Sequence, residues 1–112
     1  MKLTNAQAEV LVAISERYTW VREQISAGGS PLQRFGPRVA IEIRNFEEHG
    51  VSRRHDKLFG RSPTPSESVK MTRCIKKLEE LGLIEQSGTS DRSTTVRLTE
   101  TGSKLATELA AA

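Results

Sequence analysis

Residues 64–84 read TPSESVKMTRCIKKLEELGLI, and this stretch decides the fold of the chain. Thr64 with Glu67 three residues later is the pattern of a capping box, and Pro65 suits the first helical position because no partner is needed there for an N–H. Gly82 supplies a stop for the predicted helix. Between these signals, apolar residues recur at the spacing of one helical face, namely Met71, Cys74, Ile75 and Leu78.

The predicted helix, Pro65–Leu81, is basic and hydroxyl-bearing on the side opposite its apolar stripe. At about 100° per residue, side chains between the stripe positions point away from it. The outward residues are Ser66, Val69, Arg73, Lys76 and Lys77, flanked by Lys70 and Thr72. The helix is therefore expected to bury one face and to offer the other to a partner.

Two segments after this helix can pair as a β-hairpin. They are Leu83–Ser87 and Thr94–Leu98, and residues 88–93 between them are turn-forming. Thr99 can then cap a last helix, from Glu100 to about Ala110, with Leu105 and Leu109 inward. This order predicts a mainly α protein with a small β-hairpin wing, a winged helix-turn-helix.

Three separated motifs in this region resemble MarR-type winged-helix transcriptional regulators. In that family the recognition helix reads approximately V-T-R-x-x-x-x-L-E-x-x-G-L-[VI], the wing carries D-x-R, and the closing helix begins L-T-x-x-G. The family Asp falls on Ser90, so Asp91 stands one place late. The matching segments are Met71–Arg73 with Leu78–Glu85, Asp91-Arg92, and Val96–Gly102, and the resemblance is strongest over residues 64–105.

The formal charge of +3 is unevenly distributed along the chain. Between Arg53 and Lys77, eight basic residues face two acidic ones, which gives +6. From Leu78 onward, six acidic and three basic residues give −3, and residues 1–52 balance at zero. Positive charge concentrated on the predicted recognition helix and the segment before it is typical of a nucleic-acid-binding face.

Composition bounds the class of protein. A length of 112 residues fits one domain, and a single Cys excludes an internal disulfide, which makes the cytoplasm the expected location. No apolar run approaches the roughly 20 residues of a membrane span, and the N-terminus lacks a signal-peptide pattern. His49 and His55 lie near acids but without metal-ligand spacing, so we expect no enzyme, no metal and no cofactor.

The first 26 residues predict a long helix. Thr4 and Gln7 form a second capping box, and the helix should continue to about Ser26 and stop at Gly28-Gly29. A stripe with 3-4 spacing favours coiled-coil-like packing on another helix. The stripe residues, predicted as a homodimer interface with Trp20 beside them, are Leu11, Ile14, Tyr18, Val21 and Ile25.

Roughly 35 residues before the predicted recognition helix are additional to the MarR-type pattern, and the 30 residues Trp20–His49 account for most of them. Ser30-Pro31 begins a short helix or turn, and Pro37 begins another that runs to about His49, with Val39, Ile43 and Phe46 inward. The chain thus divides into a helical extension at 1–50 with dimer contacts, a helix-turn-helix and wing at 51–98, and a closing helix at 99–112. The alternative dimerisation helices are Pro37–His49 and Glu100–Ala110.

The first helix of the helix-turn-helix is predicted between Ser52 and Phe59, with Ser52 as N-cap. Val51, His55, Leu58 and Phe59 have the spacing of one helical face. Cys74 has two interpretations: a redox switch, as in some MarR-type regulators, or a small apolar residue of the core. The aromatic residues of the extension likewise could line an effector pocket or form a core; they are Tyr18, Trp20, Phe35 and Phe46.

The combined prediction is a sequence-specific regulator that binds double-stranded DNA. Arg73 is expected to read guanine O6 and N7, with Val69 or Thr72 on a thymine methyl. Arg92 at the wing tip is expected at the minor groove. Backbone contacts are expected from the remaining polar and basic residues, which are Arg53, Arg54, Ser66, Ser68, Lys70, Lys76 and Lys77.

Two other functions fit the same fold. A winged helix can serve as a protein–protein interaction module, whose basic face would meet an acidic partner. It can also serve as a replication or partition initiator that binds DNA. A wing-tip arginine favours DNA, because a protein-binding wing has no need of one. A small-molecule effector has no support in the sequence.

Overall fold

The computed structural model describes residues 2–89 and 93–111. Their helices are α1 (Asn5–Ala27), α2 (Pro31–Phe35), α3 (Pro37–Arg44), α4 (Phe46–His49), α5 (His55–Phe59), α6 (Pro65–Glu80) and α7 (Glu100–Ala111), and their strands are β1 (Val51–Ser52), β2 (Ile84–Thr89) and β3 (Ser93–Leu98). The strands form one antiparallel sheet in the order β1-β3-β2. Helices α5 and α6 followed by the β2–β3 hairpin are a winged helix-turn-helix, so the predicted fold class is confirmed.

Local signals explain where the long helices begin. Thr64 and Glu67 exchange both hydrogen bonds of a capping box at α6, and Thr4 and Gln7 do the same at α1. Helix α6 is one residue shorter than predicted. Its apolar stripe is buried as expected, with Met71, Cys74, Ile75 and Leu78 all in the core.

The predicted hairpin is confirmed, but a third strand was not foreseen. Val51 pairs with Val96 of β3 and is fully buried, so its assignment to a helical face was wrong. Helix α5 begins at His55 instead, after Arg54, and no side chain caps it. An isolated apolar residue suits a strand and a helix equally well, and only its partner 45 positions away decides between them.

Helix α1 crosses the middle of the domain and packs against α5, α6 and α7. Leu11, Ile14 and Val21 have no solvent-accessible surface, and Tyr18 retains 8% of its own. The Tyr18 hydroxyl accepts a hydrogen bond from the Leu98 N–H at 2.9 Å. Burial also raises the pKa of the Tyr18 phenol, although this hydrogen bond opposes the change.

The predicted dimer interface is therefore wrong for Leu11, Ile14, Tyr18 and Val21, because these side chains form the core of their own chain. Only Ile25 of the predicted stripe is exposed, by 48%. The second half of α1 has core partners because the residues between α1 and β1, 28–50, supply them; we call these residues the inserted segment. Phe46 of α4, for example, packs edge-on against Tyr18 with ring centroids 5.0 Å apart.

The inserted segment, residues 28–50, is fastened to α1 by polar and aromatic contacts. Glu42 of α3 is buried and binds the Arg17 guanidinium at 3.1 Å from Nε and 2.5 Å from Nη2. The same carboxylate accepts the Ser52 N–H at 2.9 Å. Trp20 and Phe35 stack edge-on at 5.1 Å. The single helix predicted for 37–49 is interrupted at Asn45, which separates α3 from α4.

The turn between α6 and β2 is closed by the start of α7. Thr99 donates through Oγ1 to the Gly82 carbonyl at 2.7 Å, and its N–H donates to the Leu83 carbonyl at 3.1 Å. Oγ1 also caps α7 by accepting the Gly102 N–H. Gly102 lies so close to Leu83 that a Cβ there would stand 1.8 Å from the Leu83 carbonyl oxygen. The L-T-x-x-G motif is thus a packing requirement.

Candidate nucleic-acid interface

The outward side of α6 forms one exposed surface, which we call the recognition face. Eight side chains form it, and the structure places all of them as predicted, on the side away from the core: Ser66, Ser68, Val69, Lys70, Thr72, Arg73, Lys76 and Lys77. Val69 is 52% exposed and places an apolar side chain among these polar and basic residues. Ser68 and Thr72 lie one helical turn apart on this face, and the Thr72 hydroxyl donates to the Ser68 carbonyl at 2.9 Å.

Not every cation near this face is equally available. Arg54 forms two contacts to Asp56, at 3.1 and 3.2 Å, and Lys77 lies 4.0 Å from Glu80. Arg61 binds both carboxylate oxygens of Glu67, and this pair holds the pKa of Glu67 well below its usual range, with help from the Thr64 N–H. Three of the eight cations in the basic segment therefore have an acidic neighbour.

Arg53 connects three elements. It is half-buried, and its Nη1 donates to the Gln86 side-chain oxygen of β2 at 2.8 Å. Gln86 in turn donates from Nε2 and from its backbone N–H to the Glu79 carboxylate, at 3.2 and 2.9 Å. Arg53 was predicted to contact the DNA backbone. Through Gln86 and Glu79 it also connects the end of β1 and the wing to α6. Sequence reasoning missed Gln86 and Glu79 because nothing local marks this chain of contacts.

A recess of about 300 Å³ lies between α5 and α6, beside the recognition face. Met71 and Ile75 are among its apolar residues. Its polar lining residues are Arg53, Arg54, His55, Asp56, Ser62, Ser68 and Thr72, and the Asp56 carboxylate binds the Arg54 guanidinium. Guanidinium and hydroxyl donors suit the oxygens of a phosphate, and a phosphate bound in this recess would compete with Asp56 for Arg54.

The wing itself is described only in part. Ser90, Asp91 and the predicted wing-tip Arg92 lie outside the described residues, so the predicted minor-groove contact is not tested. At the base of the hairpin, His49 Nδ1 lies 2.8 Å from the Ser87 hydroxyl. Arg97 Nη1 also donates to the Glu48 carbonyl at 3.4 Å. The inserted segment therefore contacts the wing as well as α1.

The geometry gives little support to a redox switch at Cys74. Burial raises the pKa of the Cys74 thiol, and Cys74 packs in the core stripe with 7% exposure, which favours the core interpretation over a redox switch. In residues 2–89 and 93–111, no three His, Cys, Asp or Glu side chains gather as a metal site would require. None of the helices described there is long and apolar enough to cross a bilayer.

The comparisons with known proteins point to the same part of the chain. Residues 66–102 match the family of winged helix DNA-binding domains, and the matched stretch covers most of α6, the hairpin and the first turn of α7. No curated protein and no solved structure gives a significant match. The family match supports the winged-helix part of the resemblance seen in the sequence. The narrower MarR type stays a prediction.

Proposed function

We propose that this chain is a non-enzymatic, MarR-like transcriptional regulator that binds double-stranded DNA as a cytoplasmic homodimer. One observation carries the proposal: the recognition face is exposed, cationic and rich in hydroxyl groups, in a segment similar to winged helix DNA-binding domains. Lys70, Arg73 and Lys76 on one helix provide the charge that a phosphate backbone attracts. The wing beside α6 provides a second contact.

In the proposed complex, α6 lies in the major groove. Arg73 is the expected base reader, because its guanidinium can bond guanine O6 and N7 together. Val69, exposed on the same face, and Thr72 can contact a thymine methyl. The recess beside α6 would receive a backbone phosphate, which fixes the position of the helix without reading sequence. Arg92 would approach the minor groove.

The salt dependence of binding tests whether the partner is DNA at all. With about 5–8 phosphate contacts per dimer, log K against log salt concentration should fall with a slope of about −5 to −7. Fluorescence anisotropy with a random 30-base-pair duplex measures this, and Lys70→Ala should reduce the slope by about 1 per subunit. Absence of binding to any duplex at low salt would favour the protein-interaction alternative.

Specificity is tested by comparing two cations on the recognition face. Arg73→Ala should weaken binding to a selected operator by about 1–3 kcal/mol and binding to random DNA much less. The matched control is Lys76→Ala, one turn further along α6, which should weaken both by similar amounts. An operator selected from random duplexes serves as the specific probe. If both variants lose affinity equally on both probes, Arg73 is not a base reader.

A further inference from the structure

One exposed surface outside the recognition face joins an apolar residue to charges of both signs. Two adjoining grooves, of about 620 and 560 Å³, run along the C-terminal half of α1 and share Arg22 and Ser26 in their walls. Ile25 lines the larger groove and is 48% exposed. Five residues of these walls form what we call the α1 patch: Arg22, Glu23, Ile25, Glu47 and Arg97.

The two cations of the patch are held by the fold. The Arg22 guanidinium lies 5.5 Å from the ring centroid of Tyr18 and 5.8 Å from that of Phe46. Arg97 lies 3.5 Å from the Glu85 carboxylate and also bonds the Glu48 carbonyl. Side chains that are already positioned lose less conformational entropy when a partner binds. The patch is therefore better prepared for a contact than an ordinary charged surface.

The balance of charge indicates what the partner is. Two cations and two carboxylates line these grooves together with the exposed Ile25, so the charges balance and a polyanion such as DNA gains little from this surface. A two-fold interface brings the same surface of each subunit together, and it must therefore be self-complementary. The α1 patch has this property, because its cations can face the carboxylates of a second copy while the apolar residues meet.

We infer that the α1 patch is the contact between two copies of the chain. Ile25 of each copy lies near the two-fold axis, and Arg22 of one copy faces Glu47 of the other. The inference rests on the proposed function, since a regulator that reads two half-sites needs two recognition helices. None of the residues of the recognition face lines either groove, so the proposed contact does not use the surface of α6 that is proposed to bind DNA.

Sedimentation of the wild-type chain and two aspartate variants, without DNA, tests the inference. The wild type should be dimeric at tens of micromolar, and Ile25→Asp should be monomeric with unchanged helical circular dichroism, because Ile25 is not a core residue. Ile41→Asp is the matched control: Ile41 is 44% exposed on α3, outside both grooves, and this variant should remain dimeric. A monomeric wild type, or loss of the dimer in both variants, overturns the inference.

A charge exchange identifies the contact more sharply. Arg22→Glu and Glu47→Arg should each be monomeric, because each places like charges opposite one another twice. An equimolar mixture of the two should form heterodimers, since every contact then joins opposite charges again. A mixture that stays monomeric, or single variants that stay dimeric, rejects the proposed pairing.

The DNA measurements separate this inference from the proposed function. A monomeric Ile25→Asp chain that still binds short duplexes with the expected salt dependence leaves DNA binding intact while supporting the interface. A wild-type chain that dimerises through the patch but binds no duplex removes the proposed function and leaves the interface. Duplex binding by a wild-type chain that is monomeric in solution overturns the interface and the proposed homodimer, and leaves DNA binding intact.

Discussion

The Gly102→Ala protein is expected to be less stable than the wild type by about 3 kcal/mol in free energy of unfolding. At an unconstrained helical position the same change usually stabilises a protein, by about 0.4–1 kcal/mol. Here the added Cβ would stand 1.8 Å from the Leu83 carbonyl oxygen and 2.8 Å from its carbonyl carbon. That carbonyl is also bound by the Thr99 N–H, so relieving the overlap moves α7 away from the α6–β2 turn.

Urea unfolding followed by circular dichroism measures this difference. Ser103→Ala is the matched control, because Ser103 is exposed on the same turn of α7 and its side chain can be shortened without a clash. The free energy of unfolding of this control should differ from that of the wild type by less than about 0.5 kcal/mol. If Gly102→Ala is as stable as the wild type, the backbone of α7 must lie further from the Leu83 carbonyl than the 1.8 Å approach of a Cβ requires.

The free energy of unfolding of the Glu42→Ala protein is expected to be lower than that of the wild type by about 3–5 kcal/mol. This is the usual cost of removing one partner from a buried ion pair. The Glu42 and Arg17 side chains are only 4% and 12% exposed, so the remaining guanidinium would be left without a charge partner and largely without water. The Ser52 N–H would lose its acceptor as well. Helix α3, α1 and β1 would therefore separate at the point where they now meet.

Thermal and urea unfolding again provide the measurement. Glu16→Ala, at an exposed position of α1 beside Arg17, should have little effect on stability. The double variant Arg17→Met with Glu42→Leu should recover much of the loss, because apolar pairs of similar volume often replace buried ion pairs without cost. A Glu42→Ala protein with wild-type stability would show that the inserted segment is held by other contacts.

The parts of the fold that could be predicted from sequence depend on neighbouring residues. Both capping boxes bond atoms three residues apart, at Thr4 and Thr64, and the stripe of α6 follows from helical periodicity alone. The outward positions of the recognition face follow from the same periodicity. These features need no knowledge of the rest of the molecule, and they are correct in the structure.

The features that sequence reasoning missed depend on distant partners. The stripe of α1 predicted that a surface would be covered, but not whether by a second chain or by Phe46 and Leu98 of the same one. A glutamate on a helix is usually exposed, and only the ion pair with Arg17 explains why Glu42 is buried. Val51 likewise lies in a strand because it pairs with Val96 of β3. Periodicity records that a side chain is buried without recording its partner.

The close packing of α1 against the last elements has a consequence for synthesis on the ribosome. The Tyr18–Leu98 hydrogen bond joins residues 80 positions apart, and α7 packs on α1 from still further along the chain. At about 5–20 residues per second, Leu98 follows Tyr18 after about 4–16 s, later than α5 and α6, which also pack on α1. Until the last of these partners has been synthesised, Leu11, Ile14 and Val21 cannot reach their full burial. The nascent chain thus offers a chaperone an apolar helix that the finished protein conceals.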